Sequence, residues 1–304
     1  MRIGLTGGGA SADRIVQQAV DAEAGGFSSI WYPSAVLGDP LVPMAVAGRE
    51  TSTIELGTAV LQTYTCHPTL QGSRAASTAA TMGRPGLTLG VGPSHGYVIE
   101  NVLGLSYDGV GAHTEEYVNV LASVLRGEPI SHRGTHFNIE IPVVSALPQP
   151  VGLLVSALAP RLLRVAGEIT DGTILWMGNA RAVEQHVAPR ITRAASAAGR
   201  PAPRIVAGLP VAVHDDIAEA RDTAARDFAN YGVLPNYRRI LDIGGAAGPG
   251  DAAIVGDESS VTAQIQALFD AGATDVWAAP FPVGDDRSAS RHRTRTLLEE
   301  LAKA

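Results

Sequence analysis

The sequence predicts an α/β fold of the (β/α)8, or TIM barrel, class, and three observations support this prediction. Short apolar runs alternate with helical patterns along almost the whole chain of 304 residues. The runs are continuous stretches of Val, Ile, Leu and Ala, which is the pattern of parallel strands buried on both faces. Eight strand–helix units in a chain of this length favour a closed barrel over a doubly wound sheet, the other architecture built from such units.

Each predicted strand lies next to a segment with helical periodicity. In the first such segment, over 11–24, Ile15 and Ala19 lie on one apolar face, and Gly25-Gly26 directly after it are typical of a helix end. Further helices are predicted near 40–51 and 69–82. The eight strands are predicted over residues 2–6, 28–32, 54–61, 87–91, 153–157, 173–177, 205–213 and 274–279.

Two connections are longer than an ordinary barrel loop. The connection after strand four contains a helix around Tyr117 and a predicted hairpin at Arg133-Gly134. The connection after strand seven contains residues 215–231 and the glycine-rich run IGGAAGPG. Long inserts in a compact domain are typical of active-site lids or of disordered segments. We therefore predict one domain over residues 1–304, with insertions after strands 4 and 7.

Composition excludes several classes of function. The N-terminus is predicted to form a strand and not a signal peptide, and no apolar run approaches the roughly 18 residues that a membrane helix needs. The net charge is −7, and no Lys/Arg run is present, so we expect neither a nucleic acid nor a membrane partner. Cys66 is the only cysteine, which indicates a cytoplasmic protein without an internal disulfide. Lys303 is the only lysine, which argues against Schiff-base chemistry.

The residues that follow each strand of a barrel face the active-site mouth. The predicted strand ends contain no metal-binding cluster and few groups that could act as acids or bases, so we expect a cofactor that carries its own chemistry and no metal. Six strand-end segments are Thr6-Gly7-Gly8, Tyr32-Pro33, Gln62-Thr63-Tyr64, Ser94-His95, Ser156-Ala157-Leu158 and Trp176-Met177-Gly178.

The fourth strand ends in the motif LTLGVGPSH, in which Gly90 and Gly92 precede Ser94 and His95. Only the first two glycines match the dinucleotide-binding fingerprint, and this is the fourth βα unit and not the first, so a Rossmann site is rejected. His95 is the best candidate for handling a proton, and the alternative is a histidine that caps the following helix. His67 lies just before a predicted helix. It is more often a residue that caps this helix or forms part of the wall of the site than one that binds a ligand.

Two further strand ends are candidate cofactor contacts. The motif SALAPR, residues 156–161, enters a helix with Pro160 near its first turn, where backbone N–H groups can hold a phosphate and Arg161 and Arg164 add charge. An ordinary capped barrel helix is the alternative. Trp176 and Met177 are predicted to form a wall for a flat ring, or else to belong to the core.

Five segments resemble the luciferase-like flavin and deazaflavin oxidoreductases, and they are most similar to the branch that uses the deazaflavin coenzyme F420. The resemblance covers essentially the whole chain and is most specific at Ala166-Gly167-Glu168 and Asp171-Gly172. It implies a (β/α)8 barrel with a flavin-like ring across its C-terminal mouth. The segments are LGTAVLQTYTCHPTLQGSRAASTAA, LTLGVGPSHGYVIENVLGLSY, LASVLRGEPISHRGTHFNI, VSALAPRLLRVAGEITDGTILWMG and AIVGDESSVTAQIQALFDAGATDVWAAPF.

The resemblance also implies roles for individual residues. Ala59 and Val60 match a bulge in the third strand that supports the back of the ring, with a cis peptide between them. His95 stands where sugar-oxidising members of the family carry a glutamate. The Asp-His pair that those members carry after strand two is also missing, since this chain reads Tyr32-Pro33-Ser34, so sugar oxidation is not expected. The glycines of the fourth strand would let a planar cofactor approach. The implied cofactor-binding residues are Ala59, Val60, Ser94, His95, Ser156, Ala157, Leu158, Ala159, Arg161, Trp176, Met177 and Gly178.

These observations predict an F420-dependent oxidoreductase that transfers a hydride between the deazaflavin and a small organic substrate, with His95 as the catalytic proton partner. A homodimer is expected. The alternatives are an FMN-dependent luciferase-like monooxygenase and a non-catalytic flavin-binding barrel. The identity of the substrate depends on the insertions and cannot be read from the strand ends.

Overall fold

The computed structural model describes residues 1–9, 11–34, 38–142 and 147–304, and eight of its parallel strands form a closed barrel. Hydrogen bonding between β1 and β12, in the register Ile3↔Val276, closes the ring. The predicted barrel is thereby confirmed. The strands are β1 Ile3–Thr6, β2 Ser29–Tyr32, β3 Glu55–Thr58, β4 Leu61–Gln62, β5 Leu87–Gly92, β6 Ile130–Arg133, β7 Asn138–Ile141, β8 Val151–Val155, β9 Gly172–Trp176, β10 Arg204–Val213, β11 Ile254–Gly256 and β12 Asp275–Pro280.

Helices surround the barrel, and several of them begin with a side-chain cap. The Ser11 hydroxyl caps α1, and His67 caps α3 by accepting the N–H of Thr69, which confirms its predicted capping role. The helices are α1 Ala12–Ala24, α2 Leu41–Glu50, α3 Pro68–Met82, α4 Val110–Arg126, α5 Pro160–Ile169, α6 Ala180–Ala182, α7 Ala188–Ala197, α8 Ile217–Asp227, α9 Pro235–Ile243, α10 Pro249–Ala252, α11 Glu258–Asp270 and α12 Arg287–Lys303, with π-helical turns at Val98–Val102 and Val183–Val187. Within the described part of the chain, no helix has both the length and the apolar character needed to cross a membrane.

The third barrel strand differs from the single strand predicted over 54–61. It divides into β3 and β4, because one extra residue lies between the pairs Gly57↔Thr88 and Leu61↔Val91, which is a β-bulge. The Ala59–Val60 peptide is cis, as the resemblance implies.

Gly90 is explained by this bulge and not by a ligand, contrary to the sequence expectation. The Thr58 hydroxyl donates to the Gly90 carbonyl at 2.8 Å and accepts the Gly90 N–H at 2.9 Å. A Cβ at Gly90 would lie 2.1 Å from the Thr58 carbonyl oxygen, which no side chain can tolerate.

A cluster of charges lies at the N-terminal end of the barrel. Arg204 donates to Glu55 at 2.8 Å and to Asp275 at 2.8 Å, and Arg2 donates to the same two carboxylates at 2.7 Å each. The Thr88 hydroxyl adds a 2.6 Å hydrogen bond to Glu55. Burial would raise the pKa of Asp275, but the adjacent Arg204 guanidinium outweighs burial and lowers it. The starts of five strands, β1, β3, β5, β10 and β12, are thereby tied together by residues at or next to their first positions.

The two predicted insertions differ in how they attach. After β5, the predicted hairpin is confirmed as β6–β7, and the Glu116 carboxylate holds it on α4 by accepting the N–H groups of Thr135, His136 and Phe137 at 2.8–3.0 Å. After β10, the insertion contains α8 to α10 and returns through β11, which pairs with the C-terminal end of β10. This insertion therefore reaches the mouth of the barrel, where β10 ends.

Candidate cofactor site

A cleft with two adjoining compartments opens at the C-terminal mouth of the barrel. The inner compartment encloses about 250 Å³ and the outer about 110 Å³, and both are lined by Val60, Ser156 and Tyr237. The inner compartment is further lined by Thr6, Pro33, Ala59, Ile174, Leu175, Trp176, Phe228, Tyr231, Trp277 and Ala279, and the outer by Gly92, Pro93, Ser94, His95, Leu158, Ala159, Leu162 and Asn236.

The inner compartment is apolar and aromatic, and none of its lining side chains carries a formal charge. The Trp176 ring centroid lies 5.2 Å from that of Trp277 and 5.9 Å from that of Tyr231, and Tyr231 lies 4.8 Å from Tyr237. The Nε1–H of Trp176 is buried and makes no hydrogen bond with the described residues. A buried donor without a partner in a cavity is suited to an acceptor on a bound molecule.

The outer compartment is shaped by the turn after β5. Ser94 has φ 63°, and it and Met177 are the non-glycine residues with left-handed φ among those that the structure describes. The Tyr107 hydroxyl donates to the Ser94 carbonyl at 2.9 Å and supports this turn. Non-glycine residues in this conformation cluster at functional sites, and both of these follow a strand at the mouth.

His95 lies half-buried in the outer compartment, with its ring 5.8 Å from that of Tyr237. Burial lowers the pKa of His95 below its usual value of 6.5, so the imidazole is neutral at pH 7. Its ring nitrogens make no hydrogen bond with the described residues, which contradicts the capping alternative and leaves them available to a ligand.

The loop between β8 and α5 forms the opposite wall. Its Leu158 carbonyl lies 2.9 Å from Nε2 of the buried His186, which anchors the loop from behind. Ala159 is the N-cap residue of α5 and has no side chain that could satisfy the first N–H groups of the helix. Such groups carry partial positive charge and suit a phosphate.

The structure brings eight of the sequence-predicted residues together and separates four from them. Ala157 and Met177 are buried in the core, and Gly178 packs against the Leu175 side chain. Arg161 does not line the cleft, because its Nε donates to Glu115 of α4 at 2.8 Å. The residues that line the cleft are Ala59, Val60, Ser94, His95, Ser156, Leu158, Ala159 and Trp176.

Sequence reasoning missed the residues that the insertion after β10 contributes. Phe228, Tyr231 and Tyr237 lie in or near a polar helical stretch, and their only sequence signal is three aromatic side chains within ten positions. Trp277 was assigned to a strand, and its Nε1 donates to the Thr6 hydroxyl at 2.7 Å at the floor of the cleft.

Replacing Tyr107 with phenylalanine should lower the free energy of unfolding by about 1 kcal/mol, because the Ser94 carbonyl loses its donor. Urea unfolding of Tyr107→Phe measures this loss. Tyr97→Phe is the matched control, since Tyr97 is 70% exposed, and it should be indistinguishable from the unmodified protein. Equal stability of all three proteins would show that the hydroxyl does not support the turn.

The chain matches the luciferase-like monooxygenase family over residues 2–300. The 5,10-methylenetetrahydromethanopterin reductase of Methanolobus tindarius is 24% identical over a match of 305 aligned positions. The match covers 90% of this chain and 92% of that enzyme. The structure of the coenzyme F420 dependent tetrahydromethanopterin reductase from Methanopyrus kandleri superposes with a TM-score of 0.75 and 19% identity, over 98% of this chain and 97% of that one.

An FMN enzyme has the same fold. The oxygenating constituent of 3,6-diketocamphane monooxygenase from Pseudomonas putida, in complex with FMN, superposes with a TM-score of 0.73 and 17% identity, over 100% of this chain and 97% of that one. These two superpositions show the shared barrel fold, and the match along nearly the whole sequence shows the family. The chain is therefore an enzyme, an oxidoreductase that belongs to the luciferase-like monooxygenase family.

Proposed function

We propose that this enzyme transfers a hydride between C5 of the deazaflavin F420 and a small organic substrate. The observation that supports this most is the cleft, in which an apolar aromatic compartment adjoins a second compartment at the start of α5. A flat ring and a phosphate group are the two parts of a flavin-like cofactor that these compartments would recognise. The reductase relatives named above support F420 over FMN.

The residues that line the cleft fit such a cofactor. Gly92 lies between Val60 and Ser156, and a Cβ at this position would approach their side chains to 2.9 and 3.0 Å. Any larger residue here would occupy the junction of the two compartments. The Trp176 Nε1–H is the buried donor that a carbonyl or ring nitrogen of the cofactor would satisfy.

We propose that the phosphate is held by the backbone N–H groups at the start of α5. Arg161, which Glu115 engages, would add only long-range charge. Ala157, Met177 and Gly178 would not contact the cofactor. They would support the strand ends by packing in the core behind the residues that line the cleft. This division of roles follows from their burial and from the Arg161–Glu115 ion pair.

When bound, the deazaflavin supplies the two-electron hydride chemistry. The aromatic side chains of Trp176, Tyr231 and Tyr237 exclude water from the inner compartment, and Val60 holds the ring in position. The neutral imidazole of His95 takes a proton from a substrate hydroxyl during oxidation and returns it during reduction. Alignment of donor and acceptor in this cleft can contribute several kcal/mol to lowering the barrier.

F420 should bind this enzyme more tightly than FMN. The measurement is a side-by-side titration, in which deazaflavin fluorescence and FMN absorbance report the two dissociation constants. Ser156→Phe, which fills the junction of the compartments, should weaken both and so show that the titrated site is this cleft. Tight FMN binding with oxygen-dependent NADH consumption would favour the monooxygenase instead. Binding of either cofactor without hydride transfer to any acceptor would favour the non-catalytic barrel.

A further inference from the structure

The hydroxyl of Tyr237 takes no part in holding the fold together. We propose that this hydroxyl donates a hydrogen bond to the oxygen atom of the substrate, beside His95, and that the substrate is an uncharged alcohol or carbonyl compound. The proposal rests on the proposed function and deepens it, because it names the reacting group of the substrate and a second catalytic residue.

Tyr237 lies where the two compartments of the cleft adjoin. Like Val60 and Ser156 it lines both of them, and its ring centroid lies 5.8 Å from that of His95. A small molecule in contact with both rings would therefore lie at the border of the compartments, next to the region that we assign to the deazaflavin ring.

The helix that carries Tyr237 is anchored to the barrel. In α9, Ile240 is buried, and Arg238 donates to two carbonyls of the loop that follows the helix, at 2.6 and 2.8 Å. The side-chain amide of Asn179, just after β9, donates to the Gly244 carbonyl at 3.1 Å. A donor on such a support is preorganised, so that it can stabilise a developing charge without rearranging first.

The Tyr237 hydroxyl is a protonated donor without a partner. It makes no hydrogen bond with the described residues. Burial raises the pKa of Tyr237, and the neighbouring Tyr231 and Tyr107 raise it further, so the phenol keeps its proton at pH 7. None of the described residues that line the two compartments carries a formal charge at pH 7. Negative charge on a molecule bound there therefore depends on neutral donors of this kind.

The oxidation of an alcohol makes use of such a donor. The C–H electron pair leaves as a hydride to the deazaflavin, the O–H proton passes to the neutral imidazole of His95, and the C–O bond becomes a carbonyl. Negative charge gathers on the oxygen during this step, and a hydrogen bond from Tyr237 stabilises it. An imine has no oxygen at its reacting carbon for this donor, and a charged substrate would have no opposite charge in the lining.

The test is Tyr237→Phe, which keeps the aromatic wall and removes only the hydroxyl. The substrate is the alcohol that the unmodified enzyme oxidises fastest in a panel of primary, secondary and benzylic alcohols. Hydride transfer, followed by stopped-flow absorbance, should slow about 10²- to 10³-fold, the usual cost of losing one donor to a developing oxyanion. KM and the dissociation constant of F420 should each change by no more than about threefold, because the hydrogen bond strengthens in the transition state.

A second measurement does not depend on turnover. The carbonyl product of the same alcohol, labelled with carbon-13, cannot exchange a hydride with oxidised F420, because neither molecule has one to give. The infrared carbonyl stretch of this bound product falls in frequency when its oxygen accepts a hydrogen bond. We expect a lower frequency in the unmodified enzyme than in Tyr237→Phe. Tyr97→Phe, at an exposed position, is the matched control and should change neither the rate nor the frequency.

Three results would contradict the proposal. An unchanged rate for Tyr237→Phe, or equal carbonyl frequencies in the two proteins, would overturn the role of the hydroxyl. Hydride transfer to an imine or an alkene, with no turnover of any alcohol or carbonyl compound, would overturn the substrate class and leave the proposed function standing. Absence of hydride transfer with every donor and acceptor would overturn both. Tyr237→Phe should keep the melting temperature of the unmodified protein, which excludes unfolding as the cause of a lower rate.

Discussion

Replacing Arg204 with methionine should lower the free energy of unfolding by about 3–5 kcal/mol, the cost of breaking a buried ion pair on one side. The Asp275 side chain is only 2% exposed and that of Glu55 only 11% exposed, and Arg204 donates to both. Without it, two buried carboxylates would share Arg2 alone. Urea unfolding at pH 7 measures the loss.

The same variant has a defined dependence on pH. Burial alone would raise the pKa of Asp275, but Arg204 outweighs it and holds that pKa below its unfolded value of about 3.9. Stability from this pairing is therefore fully present above about pH 4 and is lost as the pH falls through the lowered pKa. The difference in unfolding free energy between the unmodified protein and Arg204→Met should shrink when both are measured near pH 3.

Arg2→Met is the control for burial. Arg2 donates to the same two carboxylates, but its side chain is 51% exposed, so its removal should cost about 1 kcal/mol or less. Equal losses for the two variants, or a loss below about 1 kcal/mol for Arg204→Met, would show that burial of the cluster does not decide its contribution.

Replacing His95 with alanine should slow hydride transfer by about 10²- to 10⁴-fold, the usual contribution of a positioned acid or base. Cofactor binding should change by no more than about threefold, because the cleft keeps its apolar walls and the backbone of α5. The rate is measured by stopped-flow absorbance of the deazaflavin, with any substrate that the unmodified enzyme is found to turn over. His67→Ala is the control, since it removes a helix cap and should lower the melting temperature without changing the rate.

The pH dependence of the rate of substrate oxidation shows whether His95 acts as a base or only lines the cleft. Burial lowers the pKa of His95, so the neutral imidazole persists below pH 6.5. The rate should fall to half of its plateau value at a pH below 6.5, as the imidazole becomes protonated. Proton NMR titration, with His95→Ala identifying the resonance, should give a matching pKa. An unchanged rate for His95→Ala, or a His95 pKa above 6.5, would exclude the proposed role.

Local sequence patterns were sufficient for much of the fold. The eight barrel strands, the cap at His67 and the hairpin at Arg133-Gly134 depend on neighbouring residues, whose spacing and turn chemistry are visible in the sequence. The bulge after Thr58 could not be derived in this way. Only the resemblance implied it, because an extra residue is defined by its register against another strand.

The sequence alone determined the barrel class, and it placed Ser94, His95 and the loop at 156–159 at its mouth, because strand ends of a parallel barrel must meet there. Only the tertiary structure decided which side chains complete the cleft. Tyr237 comes from an insertion more than 140 positions beyond His95, and Glu115 of another insertion withdraws Arg161 from the site. Glycine is likewise required at position 90 by the close approach of Thr58 and not by a ligand. Each of these contacts joins segments distant in sequence, and their packing and charge pairing exist only once the barrel has closed.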